Sequence, residues 1–233
     1  EFRRVLFRSI FVGRLFMGSV PIDGMACCWQ RFKCGTGHQT AANHSKMAVL
    51  TQTGNARVTI GAMSTPQVLI LQHVPWERPG RILSTLEDLG LDTVIMNIAG
   101  KKKPDLPDFG DLAGVVIMGG PMGALDYDKY PGLKAEGKLA KAAVAVGKPV
   151  LGVCLGHQII AAALGGQLRK GDAPEIGFGP IKRVDRHDFF SMWDKQLNVL
   201  HWHNDVVGLP EGAQLLARSS ATKVQAFRSE ERR

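Results

Sequence analysis

The stretch "PVLGVCLGHQII", residues 149–160, holds a single cysteine between two glycines, after an apolar run and before a segment with helical spacing. Gly152, Cys154 and Gly156 form the pattern G-x-C-x-G, the arrangement of a nucleophile elbow with cysteine in place of serine. A tight strand-to-helix turn strains the backbone of the nucleophile, and side chains two residues away on either side would collide. The pattern predicts that Cys154 is a nucleophile at the amino end of a helix. That position stabilises the thiolate form of the side chain. The plainer alternative is a buried core cysteine beside two incidental glycines.

Apolar runs of strand length alternate with helical patterns on both sides of this turn. Strands are predicted at residues 67–74, 92–98, 112–120 and 148–153, and helices at 78–90, 132–147 and 155–166. Because these strands are apolar on both faces, they indicate a mostly parallel sheet covered by helices on each side, an α/β three-layer sandwich. Residues 167–228 are predicted to form shorter strands and loops, including "EIGFGPIKRV" and "LNVLHWH".

The two ends of the chain lack this regular pattern. Residues 1–65 show no sustained period of 2 or 3.6 and are predicted to be a disordered or artefactual extension. Four arginines among the first twenty residues allow an organelle transit peptide. The alternative is that "EFRRVLFRS" and the tail at residues 229–233 are translated adapter sequence. The domain is therefore expected at residues 66–228, and the cytoplasm is its default location.

Composition limits the classes of partner. No apolar run approaches the roughly 18 residues that span a bilayer, so a soluble protein is expected. The net charge of +8 is concentrated in residues 1–65, which hold eight basic and two acidic residues, so neither nucleic acid nor membrane is an expected partner of the domain. Cys27, Cys28 and Cys34 lack a second pair of zinc ligands, and neither a metal nor a cofactor is expected.

A second glycine segment is expected at the same edge of the sheet. In "VVIMGGPMGALDYDKYP" a strand ends in Gly119, Gly120 and Pro121. Acyl transfer needs two donors aimed at a developing oxyanion, which the backbone N–H groups of Gly120 and Leu155 would supply. Taken alone, the Gly-Gly-Pro segment is better explained as a turn.

Four segments together resemble the class I, triad-type glutamine amidotransferase domain. They are "VVIMGGPM", "PVLGVCLGHQIIAAALGG", "EIGFGPI" and "LHWHNDVVGLPEGAQLLARSSATKVQAF". This domain is related to the glutaminase part of GMP synthetase, and "VLILQHVPWERPGRILSTLEDLG" is similar to a stand-alone subgroup. The resemblance covers residues 66–228 and implies a flavodoxin-like α/β sandwich. It also implies hydrolysis of L-glutamine to glutamate and ammonia, the ammonia usually passing to a synthetase partner.

The resemblance also assigns roles to individual residues. Cys154 would attack the amide carbon of glutamine and form a thioester, with Gly120 and Leu155 as the oxyanion hole. Gln158 would contact the substrate from one side. The segment His203, Asn204 and Asp205 would form another wall of the substrate pocket.

The sequence departs from the family's pattern at its end. The family's general base is a histidine followed two residues later by a glutamate, in a segment like "QFHPE" one strand beyond "QAFR", whereas this chain reads "KVQAFRSEERR". We therefore expect a truncated and nearly inactive chain. His157, His187, His201 and His203 are each more consistent with packing, pocket or surface positions than with a substitute base.

Two other functions stay open at this point. One is a non-catalytic glutamine-binding or regulatory module, and the other is a γ-glutamyl cysteine hydrolase of the same fold. The chain contains no ATP-binding loop of the "SGGxDS" type, so the acceptor of the ammonia is not defined by the sequence.

Overall fold

The computed structural model describes residues 10–12, 65–184 and 194–229. Most of the predicted extension at residues 1–65, the tail from 230 and His187 lie outside this part, so those predictions stay predictions. In chain order the elements are β1 (Ile10–Val12), β2 (Gln67–Leu71), α1 (Arg81–Asp88), β3 (Asp92–Met96), β4 (Leu112–Ile117), α2 (Gly132–Ala145), β5 (Val150–Gly152), α3 (Leu155–Ala163), β6 (Leu168–Arg183), β7 (Gln196–Val207), β8 (Ala213–Arg218) and β9 (Ala226–Ser229).

Four of these strands form the predicted parallel sheet, in the order β3-β2-β4-β5. Alternate residues of each strand point to opposite faces. Val68 and Ile70 pack with Ile82 of α1 on one face. Leu69 and Leu71 share the other core with apolar residues of α2 and α3. The helices therefore cover both faces, which confirms the three-layer, flavodoxin-like sandwich.

The central strands end earlier than their apolar patterns predict. The run at residues 67–74 leaves the sheet after Leu71, and the run at 112–120 leaves it after Ile117. Both strands are parallel, so the released residues meet at one edge, where the strand order reverses between β2 and β4. This edge is where open α/β sheets bind ligands.

The region from residue 167 to 228 differs from the prediction of shorter strands and loops. It forms an antiparallel sheet in the order β1-β7-β6-β8-β9, in which β6 has 16 residues and β7 has 12. Pro180 within β6 is a residue type that usually interrupts a sheet. It is tolerated because β8 pairs with β6 only at Lys182 and Arg183, which leaves the edge beside Pro180 open.

The two sheets are joined through α3. Ala161 of this helix packs with Val207 of β7, Val224 and the partly buried Phe227 of β9. The helix that follows Cys154 is therefore held between the parallel sheet and the antiparallel sheet. Within the described ranges, no helix has the length and apolar character needed to cross a membrane.

Candidate active site

Cys154 occupies a strained turn between β5 and α3. Its φ of 55° and ψ of −105° make it the only residue other than glycine with positive φ in the described part of the chain. It is the N-cap of α3, and only 5% of its surface is exposed. Such strain persists where the surrounding structure enforces it, which is typical of functional sites.

The glycines on either side of Cys154 are required by close packing. A Cβ on Gly152 would lie 2.5 Å from Ile160 Cδ1 and 2.6 Å from the carbonyl carbon of Gly156. A Cβ on Gly156 would overlap the backbone carbonyl of Ile117 in β4. The steric explanation of the G-x-C-x-G pattern therefore holds in this fold.

The glycine segment after β4 lies directly against this turn. The Gly156 N–H donates to the Met118 carbonyl at 3.2 Å, and a Cβ on Gly119 would lie 3.6 Å from Cys154 Cβ. A Cβ on Gly120 would lie 2.8 Å from Leu155 Cδ2. Among the described residues, neither the Gly120 nor the Leu155 N–H donates to another protein group. Both groups are therefore available to a ligand beside Cys154.

A buried histidine fixes the orientation of the glycine segment. His73 Nδ1 donates to the Gly119 carbonyl at 2.9 Å, and Nε2 donates to Glu136 Oε2 at 2.9 Å. Burial alone would lower the pKa of His73, but the bonded Glu136 carboxylate and the Gly119 carbonyl raise it. In a trans peptide the C=O of Gly119 and the N–H of Gly120 point in opposite directions. The direction of the Gly120 N–H is thus set by His73.

Glu77 adds a carboxyl group at the same edge. A Cβ on Gly119 would overlap Glu77 Oε2, and Oε1 is buried with no partner among the described groups. Burial raises the pKa of Glu77 to about 7, against the opposing effect of the His73 charge. This carboxyl is therefore partly protonated at neutral pH.

A cleft opens beside Cys154 between α3 and the antiparallel sheet. It brings together most of the pocket residues that the sequence analysis named; its polar lining comprises Cys154, His157, Gln158, His203, Asp205, Thr222 and Gln225. Asn204 is absent from this lining. The Oε1 atom of Gln158 is buried without a partner in the described structure, so it can accept a hydrogen bond from a ligand.

The two histidines of the cleft are neutral. Burial lowers the pKa of His157 to about 4, with a further contribution from His203, and its ring packs 5.0 Å from that of Phe227. Burial also lowers the pKa of His203, although the nearby Glu175 opposes this effect. The His203 Nδ1–H donates to the Asp205 carbonyl at 3.3 Å, which directs Nε2 away from that carbonyl.

A cluster of buried polar side chains adjoins the cleft at His203. His203 Nε2 is 3.3 Å from Glu175 Oε2, and His201 Nδ1 is 3.9 Å from Glu175 Oε1. Gln225 Nε2 donates to Glu175 Oε2 at 2.8 Å. We refer to Glu175, His201, His203 and Gln225 as the Glu175 cluster.

The sequence analysis did not single out His73, Glu77, Glu136, Glu175 or Gln225. A signal existed for His73 and Glu77, because polar residues near the carboxyl end of a buried parallel strand lie at the edge where such sheets bind ligands. Glu136 gave no signal, since a glutamate in a lysine-rich helix is usually solvated. The role of Glu175 could not be predicted without the register between β6 and β7, which places Glu175 directly opposite His203.

Comparisons with known proteins identify the family of this fold and site. The family model described as "Glutamine amidotransferase class-I" matches residues 80–233. The chain belongs to the class-I glutamine amidotransferase family, as the sequence resemblance predicted.

Several relatives are similar over most of the domain. "Putative glutamine amidotransferase-like protein YfeJ" of Salmonella typhimurium is 33% identical over 160 residues, 66% of each chain. A glutamine-hydrolyzing GMP synthase subunit of Sulfolobus acidocaldarius is 35% identical over 147 residues, 63% of this chain and 73% of that one. A glutamine amidotransferase structure from Thermotoga maritima aligns with a TM-score of 0.65 at 30% identity, covering 70% of this chain and 71% of that one. The chain thus spans about two thirds of the length of YfeJ.

Proposed function

We propose that this protein is a glutaminase that hydrolyses the side-chain amide of L-glutamine to glutamate and ammonia, with Cys154 as the nucleophile. The observation that carries the proposal is the strained Cys154 at the amino end of α3, directly against Gly119 and Gly120. An inert core cysteine would gain nothing from a positive φ, and a substitution to glycine would relieve it. Retention of a side chain at this backbone position therefore supports a chemical role.

The reaction follows from the groups around the sulfur. The Cys154 thiolate attacks the amide carbon, and the negative charge moves to the amide oxygen, which accepts from the Gly120 and Leu155 N–H groups. The C–N bond then breaks, the leaving nitrogen takes one proton from solvent water and departs as ammonia, and a glutamyl thioester remains on Cys154. Water attacks this thioester, and its cleavage releases glutamate and restores the thiol. His73 acts only as a positioning residue, through the Gly119 peptide.

The cleft offers polar groups that suit the ends of glutamine. The unpartnered Gln158 Oε1 can accept from the substrate amide NH2. The Asp205 carboxylate has the charge that would complement the α-ammonium group. His203 contributes a neutral wall beside them, whereas Asn204 does not line the cleft.

The leaving ammonia must gain a proton during the proposed reaction. Both His73 ring nitrogens are engaged, and His157 is neutral and packed on Phe227. General acid–base catalysis contributes roughly 10² to 10⁴-fold to rates, and neither His73 nor His157, as placed here, would supply that contribution.

The ammonia would pass to a separate synthetase. This proposal is supported by the relatives named as glutamine-hydrolyzing subunits of GMP synthase, a name that implies at least one other subunit.

Assays of ammonia and glutamate release test the proposed function. We expect release of ammonia and glutamate from L-glutamine, and its loss in Cys154→Ala. Faster release from γ-glutamyl peptides than from glutamine would instead indicate a γ-glutamyl hydrolase. If the protein binds glutamine, and if the wild type and Cys154→Ala do not differ in product release, the protein is a binding module.

A further inference from the structure

The Glu175 cluster has more acceptors than donors. Gln225 Nε2 has two hydrogens but faces Glu175 Oε2 at 2.8 Å, His203 Nε2 at 3.4 Å and His201 Nδ1 at 3.5 Å. It also lies 3.2 Å from Ser219 Oγ. Because the Nδ1–H of His203 is used by the Asp205 carbonyl, the neutral ring presents a lone pair at Nε2. Buried acceptors without donors are costly, and a cation is one way to satisfy them.

The spacing of these atoms is that of a metal coordination shell. One ligand atom from each of Glu175, His201 and His203 lies within 4.8 Å of the others. Tetrahedral Zn²⁺ with bonds of about 2.0–2.1 Å has ligand atoms separated by about 3.3 Å. Glu175 Oε2 lies 3.3 Å from His203 Nε2, which is close to this value, and the other oxygen of the same carboxylate, Oε1, lies 3.9 Å from His201 Nδ1.

Gln225 can complete the shell. Its Oε1 is buried and has no partner in the described structure. A half-turn of the amide exchanges Oε1 and Nε2, two atoms of similar size and shape. The oxygen would then occupy a position between 2.8 and 3.5 Å from the other three ligand atoms.

The surroundings satisfy the other requirements of a metal site. A backbone carbonyl bonded to the second nitrogen of a ligating imidazole fixes its tautomer, as the Asp205 carbonyl does for His203. The backbone N–H of Gln225 is held by the Ala217 carbonyl at 2.9 Å. His203 and Gln225 also line the cleft, which gives an ion a path from solvent.

We propose that the Glu175 cluster binds a divalent transition-metal ion, for which Zn²⁺ is the best fit to two imidazoles, one carboxylate and one amide oxygen. No metal was predicted from the sequence, since Cys27, Cys28 and Cys34 lack a second pair of zinc ligands, whereas this cluster contains no cysteine. Cys154 is not a ligand of this site, although His203 and Gln225 also belong to the lining of the cleft. The ion would tie β6 and β7 to the segment before β9.

Cobalt substitution and zinc titration test this site without the use of glutamine. The full chain is titrated with Co²⁺ and Zn²⁺, both as wild type and with Cys27, Cys28 and Cys34 replaced by serine. We expect this site to bind one Zn²⁺ in both backgrounds. Co²⁺ bound at this site should show the visible d–d bands of four-coordinate geometry. It should show no thiolate charge-transfer band, since the site contains no cysteine. Glu175→Gln should weaken Zn²⁺ binding at least about 10-fold. The matched control Asp172→Asn, on the same strand with a side chain 96% exposed, should bind Zn²⁺ as the wild type does.

Two results would overturn the proposal. One is the lack of any Zn²⁺ or Co²⁺ binding by the serine background, and the other is equal binding by Glu175→Gln and Asp172→Asn. If Glu175→Gln fails to fold by circular dichroism, His201→Gln replaces it and must show the same loss. These results are independent of glutamine turnover, so failure of the metal site and failure of the glutaminase are distinguishable.

Discussion

His73 and Gly119 are joined by a 2.9 Å hydrogen bond from the ring Nδ1 to the backbone carbonyl, 46 residues apart in the chain. Because the Gly119 carbonyl belongs to the same peptide as the Gly120 N–H, the bond holds one of the two proposed oxyanion donors in place. The other ring nitrogen is bonded to Glu136, whose surface is fully buried. An ion pair in the core of the parallel sheet therefore supports the chemistry at its edge.

Removal of this pair should slow reactions that generate an oxyanion. We expect His73→Leu combined with Glu136→Gln to lower the rate of Cys154 alkylation by a chloromethyl ketone analogue of glutamine about 10² to 10³-fold, as for loss of one oxyanion-hole donor. Glu136 is changed as well because a lone buried carboxylate would cost about 3–5 kcal/mol. Alkylation by iodoacetamide, which forms no oxyanion, is the comparison. An equal loss with both reagents would mean that the pair acts on the thiol or on folding instead.

Replacement by alanine should change the free energy of unfolding in opposite directions at Gly156 of the elbow and at Gly137 of α2. Gly156→Ala places a Cβ against the Ile117 carbonyl and should lower the free energy of unfolding by about 1–3 kcal/mol or more. Gly137 lies within α2, and its Cβ would be 3.7 Å from Ala163 Cβ. Gly137→Ala should therefore raise the free energy of unfolding by about 0.5–1 kcal/mol. Urea denaturation measures both, and similar values for the two variants would contradict the packing at the elbow.

The strain at Cys154 predicts an unusual order of stabilities. Glycine adopts φ of 55° without penalty, whereas alanine keeps the strain of the cysteine. Cys154→Gly should thus be more stable than Cys154→Ala by about 1 kcal/mol, although glycine gains more entropy on unfolding. Thermal and urea unfolding of the two variants measure this difference. A more stable Cys154→Ala would show that the turn is relaxed.

Glu77 should make stability depend on pH. Its pKa is raised to about 7 in the folded state, from an ordinary value of 4.5, so folding favours its protonated form. Its contribution is complete below pH 4.5 and is lost as pH rises through about 7. Glu77→Gln should gain stability relative to the wild type over this window, with a constant difference at higher pH. Urea midpoints at pH 5 and pH 8 measure the change, and a difference independent of pH would contradict the raised pKa.

The parallel sheet and the elbow could be predicted because their signals are local. Apolar runs define β2 and β4, and the spacing of Gly152, Cys154 and Gly156 depends on one turn. The antiparallel sheet was underestimated because Pro180 indicates a break unless the pairing of its strand is known. The pair of His73 and Glu136 spans 63 residues, and a buried charge pair has no local pattern. The Glu175 cluster likewise depends on the register between β6 and β7.

The most direct test of the central claim is covalent labelling of Cys154 with the chloromethyl ketone analogue of L-glutamine. The thiolate adds to the ketone carbon, which places an oxyanion in the proposed hole, and the sulfur then displaces chloride from the adjacent carbon to leave a thioether. Neither step needs proton delivery to ammonia. We predict that peptide mapping by mass spectrometry finds the label on Cys154 in preference to Cys27, Cys28 and Cys34, and that excess L-glutamine, but not D-glutamine, slows it. Equal labelling of all four cysteines, or labelling of Cys154 that L-glutamine leaves unchanged, would contradict a glutamine site served by this thiol.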